Sequence, residues 1–411
     1  MPGGLGSTTI ELVLEASRAT SMSFIYDCLV VGAGPAGATA AYHLAKQGHS
    51  VLILEKERLP RYKPCGGGVS PQIARWFDYD FAPVISQTVT QVRMTYNLED
   101  EVIADLAEPI WMVRRNEFDH YMVQQAQAKG AELWEGTKVT GLALESAGWR
   151  LSTTADSVTG RYLIAADGAR GPMAKWLGFK SRKATVAGAI ETEPRLQVQD
   201  GHRFHFEFGL LKQGYIWNFP KADGYSLGSG IVRSTRRKSR DLVQPLADFS
   251  EQFGVDIDTE TQHGHPILLW NGDQCLHTSR ALLAGEAACV VDPFTAEGIR
   301  PSIFSGLKAA EAIHRALAGE DQALADYTRT LITEWGSEMR WAARLAQAFY
   351  AAPNIGFQVG VKNPGGARTM GKIFSGELRY SEVVTRGLRR LSQGAIAHTL
   401  GGNSNHPNPQ T

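Results

Sequence analysis

The sequence has few cysteines, no excess of either charge and no long apolar run, and each absence excludes a class of protein. The 4 cysteines among 411 residues form no C-x-x-C pair, which is typical of a reduced compartment. Lysine plus arginine and aspartate plus glutamate number 42 each, so no nucleic-acid partner is expected. No segment approaches the roughly 20 apolar residues of a transmembrane helix. We therefore expect a cytoplasmic protein, with peripheral membrane contact left open and the oligomeric state undetermined.

The two ends of the chain differ in composition from the rest. Residues 1–23 lack the basic start and apolar block of a signal peptide and are predicted to form a disordered leader. Residues 394–411 are rich in glycine, asparagine and proline, which predicts a disordered tail. The histidines between these ends show no metal-ligand spacing, so no metal site is expected.

The strongest local signal is the stretch Gly32-Ala33-Gly34-Pro35-Ala36-Gly37, which follows an apolar run at 28–31. A buried strand, a glycine turn and a helix in this order are typical of a dinucleotide-binding unit, in which the helix N-terminus faces the pyrophosphate. A second apolar strand ends on Glu55, about 20 residues further on, where a ribose-binding acid is expected. The cofactor-binding residues predicted from this unit are Gly32, Gly34, Pro35, Ala36, Gly37, Glu55 and Lys56.

Three later segments indicate FAD rather than NAD as the dinucleotide. They are Arg115-x-x-Phe118-Asp119, Asp167-Gly168, and Gly285-Glu286-Ala287-Ala288 with Asp292, Gly298 and Ile299. The first opens a helix for which Asn116 is the expected N-cap. An apolar strand that ends in Asp-Gly returns the chain to the carboxyl edge of the first sheet, where ligands bind.

The remaining strands predict a second domain. Strand-like residues at 88–106, with a turn near 97–100, and again at 184–232 form an antiparallel sheet inserted into the nucleotide fold in two pieces. The expected class is α/β with an α+β substrate part: a Rossmann-like FAD-binding domain, an inserted antiparallel β-sheet domain and C-terminal helices. The expected boundaries are 24–87, 108–183 and 277–320 for the FAD-binding domain, 88–107 and 184–276 for the substrate domain, and 321–393 for the helical region.

With these motifs the chain resembles the para-hydroxybenzoate-hydroxylase-like branch of FAD-dependent oxidoreductases over most of residues 25–320. In that branch, the acid of a Gly-Asp-Ala-Ala motif hydrogen-bonds the ribityl chain, and the helix that follows points its N-terminus at the flavin. Glu286 stands here where aspartate is usual; its longer side chain can still reach a ribityl hydroxyl but can shift the position or the affinity of the flavin.

Two further motifs resemble the pair that characterises geranylgeranyl reductases: Pro64-Cys65-Gly66-Gly67-Gly68-Val69-Ser70 and Tyr215-x-Trp217-x-Phe219-Pro220-Lys221. In that family a cysteine loop lies beside the flavin ring and an aromatic strand lines the substrate tunnel. The resemblance implies hydride transfer from reduced FAD to isolated double bonds of a geranylgeranyl or other polyprenyl chain, with NADPH or another reductant as electron donor. It implies Cys65 and Tyr215 as catalytic candidates with exchangeable protons. The implied substrate-binding residues are Gly66, Gly67, Gly68, Tyr215, Trp217 and Phe219.

Blander interpretations exist for these residues. Cys65 could be an inert turn residue, the aromatic alternation an ordinary packed sheet face, and Lys221 a solvated charge at a strand end. Two other functions stay open: an FAD-dependent monooxygenase on the same scaffold, and a catalytically inactive flavin- or lipid-binding protein. The prenyl substrate also stays open among pigments, quinones, free or phosphorylated prenyl alcohols and ether lipids.

Overall fold

The computed structural model describes residues 24–179, 182, 184–232, 240–377 and 379–385; the expected leader and tail lie outside them. The strands, in chain order, are β1 (Ile25–Val31), β2 (Val51–Leu54), β3 (Gly68–Val69), β4 (Gln87–Tyr96), β5 (Asp100–Met112), β6 (Glu132–Trp134), β7 (Val139–Glu145), β8 (Gly148–Thr153), β9 (Ser157–Ala165), β10 (Ala184–Thr192), β11 (Arg203–Phe208), β12 (Gly214–Lys221), β13 (Gly224–Ile231), β14 (His263–Trp270), β15 (His277–Thr278) and β16 (Ala281–Leu283). The α-helices are α1 (Pro35–Lys46), α2 (Arg115–Ala128), α3 (Met173–Trp176), α4 (Arg240–Ser250), α5 (Ile299–Leu317), α6 (Ala323–Thr330), α7 (Ser337–Ala351), α8 (Pro353–Gly360) and α9 (Pro364–Ser375).

The first sheet is the predicted nucleotide-binding sheet. Its strand order is β15-β16-β9-β1-β2-β6, and the pairs from β16 to β6 are parallel. Strands β1 and β2 consist largely of buried apolar residues, because a parallel sheet is typically covered on both faces. Helices α1 and α5 touch through small residues: a Cβ on Gly306 would lie 2.3 Å from the Ala36 carbonyl oxygen. This packing brings the N-termini of both helices to one end of the sheet.

The second sheet has the strand order β14-β10-β13-β12-β11-β4-β5-β3. The prediction of a purely antiparallel sheet is wrong at one place, because β4 and β11 pair in parallel, with Met94 opposite Phe206. The two inserted pieces of chain meet at this pair, and no hairpin turn joins β4 to β11 to impose an antiparallel direction. The inserted pieces therefore still form one continuous sheet.

Several expected boundaries shift in the structure. Strand β5 continues five residues beyond the expected boundary at 107, since its end pairs with β3. Strand β14 was not predicted, and the motif that begins at Pro64 and ends at Ser70 contains the short strand β3. The helix expected to begin after an Asn116 cap instead begins at Arg115, and the carbonyl of Arg114 accepts the N–H of Phe118 at 2.9 Å.

The C-terminal helices cover one face of the second sheet. A π-helical segment, Leu331–Gly336, separates α6 from α7. Aromatic residues of α7, α8 and α9 join those of β11 and β12 in one buried cluster. In the described part of the chain, no helix combines the length and apolarity needed to span a bilayer.

Candidate active site

The glycine turn between β1 and α1 is shaped by two close approaches of the backbone, at Gly32 and at Gly37. Gly32 has φ +105°, and a Cβ there would lie 2.4 Å from the carbonyl oxygen of Ala166. A Cβ on Gly37 would lie 1.9 Å from the Gly32 oxygen, so this glycine permits packing within the turn. Gly34 differs, because its Cβ would meet nothing nearer than a guanidinium nitrogen of Arg61, at 3.8 Å. Gly34 therefore leaves the backbone at the start of α1 bare toward the adjoining cavity.

Glu55 ends β2 and is buried beside this turn. One of its carboxylate oxygens accepts the N–H of Ala33 at 2.8 Å, and the other accepts the N–H of Glu57 at 3.1 Å. The carboxylate thus fixes the turn as well as lining the cavity. Lys56, the next residue, lines the cavity with an exposed side chain.

The start of α2 adds a cationic cluster. Arg115 is buried and donates two hydrogen bonds of 2.8 Å to Asp119. Arg61 also contacts Asp119, at 3.2 Å, while its Nη1 atom is buried with no hydrogen-bond partner among the described residues. A buried donor without a partner is costly unless a ligand satisfies it, so Arg61 is suited to hold an anionic or carbonyl group of a ligand.

Asp167 provides the complementary feature on the opposite wall. Its Oδ2 atom accepts the N–H of Met173 at 2.9 Å, and Oδ1 is buried with no partner in the described part of the chain. Burial raises the pKa of Asp167 to about 6. Gly168, which follows it, also lines the cavity.

The segment before α5 closes the nucleotide end. Gly285 lies against α1, while Gly298 and Ile299 place the N-terminus of α5 at the cavity. Glu286 lines the cavity, and its carboxylate accepts the N–H of Leu268 at 3.1 Å. Burial raises the pKa of Glu286, but the hydrogen bond from His265 and the charge of Lys63 outweigh burial and lower the pKa below its usual value.

Asp292 does not line the cavity. It is buried, and its carboxylate accepts the N–H of Phe294 at 2.7 Å and the hydroxyl of Tyr380 at 2.6 Å. Its side chain therefore holds the turn that precedes α5. Gly37 is the other predicted cofactor residue that lies off the cavity wall.

The cysteine loop lies against the second sheet. Cys65 is half-buried, and its side chain interacts with the Arg115 guanidinium. A Cβ on Gly66 would lie 2.8 Å from the ring of Phe219, so only glycine lets the loop pass this close. The expectation that Lys221 is solvated is wrong: it is 0% exposed, and its Nζ donates to the Gly66 carbonyl at 2.7 Å. This hydrogen bond to the loop stabilises the buried ammonium group of Lys221, whereas its position at the end of a strand had suggested exposure to solvent.

The aromatic residues of β12 form an apolar wall of the cavity. Tyr215, Trp217 and Phe219 share one face of the strand and all line the cavity, with Phe206 of β11 and Phe374 of α9. Phe206 and Phe374 stack with ring centroids 4.6 Å apart. This part of the cavity is apolar and suits a hydrocarbon chain.

Tyr215 is poorly suited to donate a proton to a ligand. Its hydroxyl already donates a hydrogen bond to the carbonyl oxygen of Thr295. Burial, followed by the charge of Asp292, raises the pKa of Tyr215. Its position is that of a wall residue.

One cavity of about 1350 Å³ joins the glycine turn, the cysteine loop and the aromatic wall. The sequence reasoning did not identify Arg61, Lys63, Glu191, His265 and Phe374, which also line it. Arg61 and Lys63 lie in the loop that carries Cys65, which is the signal that could have drawn attention to them. In the described residues, no group of three or more metal-ligating side chains could hold a metal ion.

The residues at the nucleotide end fit FAD. Two helix N-termini point toward the cavity, Gly34 presents bare backbone to it, and Arg61 and Asp167 contribute an unpartnered donor and an unpartnered acceptor. Anionic phosphates suit the first two features and ribose or ring groups suit the others. The lining of the cavity changes from polar at the nucleotide end to aromatic at the other end. It therefore suits a dinucleotide at one end and an apolar substrate at the other.

Comparison with known proteins gives consistent results. The FAD binding domain family matches residues 26–239. An uncharacterised protein of Methanosarcina barkeri is 31% identical over 295 residues, covering 71% of this chain and 75% of that protein. Menaquinone reductase of Mycobacterium tuberculosis is 29% identical over 317 residues, covering 70% and 76%. Digeranylgeranylglycerophospholipid reductase of Methanococcus vannielii is 25% identical over 341 residues, covering 77% and 82%.

A solved structure agrees with these relatives. The geranylgeranyl bacteriochlorophyll reductase-like protein of Thermoplasma acidophilum superposes with a TM-score of 0.72 at 24% identity, covering 79% of this chain and 88% of that one. The predicted fold class is confirmed, and so is the resemblance to geranylgeranyl reductases that the two motifs indicated.

Proposed function

The chain belongs to the family of FAD binding domains and is an FAD-dependent oxidoreductase, and from that premise we propose that it saturates isolated double bonds of a geranylgeranyl or other polyprenyl chain. One observation carries the proposal: the aromatic wall of β12 and the glycine turn before α1 line the same cavity. An apolar chain that lies along Trp217 and Phe219 enters the space that adjoins the nucleotide end.

The proposed cofactor site comprises Arg61 and those residues predicted from the sequence that line the cavity, without Gly37 and Asp292. The starts of α1 and α5 would hold the phosphate and ring ends of FAD, and Asp167 would accept a hydrogen bond from it. When bound and reduced, by NADPH or another reductant, FAD supplies a hydride. Glu286 already accepts hydrogen bonds from Leu268 and His265, so we assign it to the wall of the cavity rather than to a direct flavin contact.

The chain itself must orient the alkene, exclude water and supply a proton. The aromatic residues of β11, β12 and α9 bind the hydrocarbon and exclude water from it. Cys65 is the proton-donor candidate, since it has an exchangeable proton at the junction of the two ends and interacts with Arg115. Tyr215 orients the substrate as part of the wall, because its own proton is directed to Thr295.

The names of the relatives support a polyprenyl substrate without choosing one. They act on menaquinone and on digeranylgeranylglycerophospholipid, as their names state. Both compounds carry isolated prenyl double bonds, and the aromatic wall suits that shared part. We therefore propose the prenyl chain as the recognised group and a lipid as the substrate class.

The test is an anaerobic incubation of the FAD-loaded protein with dithionite and a panel of prenyl lipids: a menaquinone, geranylgeranyl diphosphate and an unsaturated archaeal ether lipid. Mass spectrometry should show the gain of one H₂ for each reduced bond. A parallel aerobic reaction with the same lipids measures oxygen consumption. Oxygen-dependent hydroxylation in place of anaerobic saturation would support a monooxygenase, and flavin loading without either reaction would support a binding protein.

A further inference from the structure

Two carboxyl side chains lie between the site cavity and a second, smaller cavity. The second cavity has a volume of about 270 Å³ and is lined mainly by polar and charged residues, Glu193 and Arg114 among them. Glu191 lines the large cavity, and its side chain hydrogen-bonds that of Glu193. Tyr62 lines both cavities. The pair Glu191–Glu193 therefore links the lipid- and cofactor-binding space to a separate polar opening.

The strand geometry explains why Glu191 faces the cavity. Side chains alternate along β10, and Ala187, Ala189 and Glu191 all line the cavity. Ile190, between them, packs into the core on the other face of the sheet. Glu191 is only 2% exposed, and a carboxyl group buried to this degree is costly unless it is protonated or paired. The proposed reduction does not otherwise use the carboxyl group of Glu191.

Burial and the neighbouring carboxyl group of Glu193 favour placing the shared proton on Glu191. A hydrogen bond between two carboxyl groups requires one proton. Arg114 donates a hydrogen bond to Glu193 at 2.7 Å, so the Glu193 side chain already has a cationic partner. Tyr62 directs its hydroxyl to Glu191 at 3.5 Å. Glu191 is therefore the protonated member of the pair.

The surroundings of Glu191 shift its pKa in opposite directions. Burial raises the pKa of Glu191 well above its ordinary value, and the charge of Glu193 raises it further. Lys221 and Arg115 lower it but do not reverse the shift. His263 lies opposite Glu191 on β14 and stacks on Tyr62. The two cations stabilise the carboxylate that remains after Glu191 gives up its proton.

We infer that Glu191 and Glu193 are the route by which protons enter the site cavity from the second cavity. The inference rests on the proposed reductase function. One alkene carbon accepts the hydride that reduced flavin supplies, and the π bond breaks. The other carbon takes a proton from the donor in the cavity, for which Cys65 is the candidate. Glu191 restores that proton, and Glu193 passes one from solvent in the second cavity to Glu191. Each reduced bond thus consumes one hydride and one proton.

The first test does not depend on turnover. The chain is labelled with ¹³C at glutamate carboxyl carbons, and the resonances are titrated without FAD. One glutamate should remain protonated at pH 7, and its signal should be absent from the Glu191→Gln variant. If every glutamate carboxyl titrates in the ordinary acidic range, the inference is overturned.

The second test measures lipid reduction under multiple turnover. Glu191→Gln should lower the rate about 10²-fold, the lower end of the range for general acid catalysis, and should increase the solvent deuterium isotope effect on that rate, because proton delivery then limits turnover. Glu193→Gln should also lower the rate of lipid reduction. The control is Glu207→Gln, which alters another buried carboxyl on the same sheet, outside both cavities, and should leave the rate unchanged.

FAD content separates a folding defect from a proton-transfer defect. The Glu191→Gln variant should bind FAD fully, because cofactor binding does not use the proton route. Wild-type turnover in a Glu191→Gln variant with full FAD would overturn the inference while leaving the reductase function intact. A wild-type chain that reduces none of the lipids would instead refute the proposed function, and the delivery step with it.

Discussion

Replacement of Gly34 by valine separates cofactor binding from folding. Gly34 has φ −80° and ψ −178°, an extended conformation that valine readily adopts. A Cβ there would meet only the Arg61 guanidinium, at 3.8 Å. The side chain of Gly34→Val would therefore occupy the cavity rather than the protein interior, and the free energy of unfolding of the FAD-free chain should change by no more than about 0.5 kcal/mol.

The expected loss of FAD affinity follows from the donors that valine would cover. The first N–H groups of α1 have no partner within the helix, and a hydrogen bond to a charged group contributes about 1.5–3 kcal/mol. If valine denies two of them to the pyrophosphate, the loss is about 3–6 kcal/mol, or roughly 10²- to 10⁴-fold in affinity.

Gly37→Ala is the matched comparison. Its Cβ would lie 1.9 Å from the Gly32 carbonyl oxygen, so the turn must move, at a cost of about 1–3 kcal/mol in stability. Flavin fluorescence titration of the FAD-free chains measures affinity, and thermal unfolding followed by circular dichroism measures stability. Full FAD occupancy in Gly34→Val, or destabilisation of that variant equal to that of Gly37→Ala, would refute the reasoning.

Three further predictions concern the cysteine loop. Cys65→Ser should retain FAD but lower the rate of prenyl reduction; unaltered kinetics under anaerobic assay would remove Cys65 from the mechanism. Burial lowers the pKa of Lys221 from 10.5 to about 8, so between these pH values the unfolded chain binds more protons than the folded chain. The free energy of unfolding of the wild type should therefore rise by about 3 kcal/mol as the pH increases through this range. Lys221→Met should abolish this rise. Urea unfolding at pH 7.5 and pH 10 checks the sign, and an equal rise in the variant would contradict it. Gly66→Ala should displace the loop, because its Cβ would lie 2.8 Å from the Phe219 ring, and should lower turnover; the double variant with Phe219→Leu should recover part of the rate, and no recovery would show that the ring is not the obstacle.

The nucleotide unit could be predicted from the sequence because its signals are local. The glycine turn, the two apolar strands and Glu55 all lie within residues 25–55, and each has a direct physical requirement at its position. The aromatic alternation on β12 is also local, and it correctly indicates one shared face. Domain insertion followed from the change in strand pattern near residues 88 and 184.

The features that the sequence did not predict depend on distant partners. Lys221 is buried because the Gly66 carbonyl, 155 residues away in the chain, accepts its hydrogen bond. Glu191 faces the cavity only because β10 lies beside the strands that form it, and nothing in its sequence neighbourhood indicates this. The parallel pairing of β4 and β11 likewise joins segments separated by the other domain.

The position of α9 at the cavity has a consequence for how this enzyme can be altered. Ile373 and Phe374 belong to the apolar end of the cavity, whereas the polar end is built from residues earlier than 303. The two ends can therefore be changed independently. Substitutions confined to one short helix offer a means of changing the shape of the apolar end of the cavity while the residues at the nucleotide end keep their sequence, which makes α9 the natural starting point for engineering substrate range.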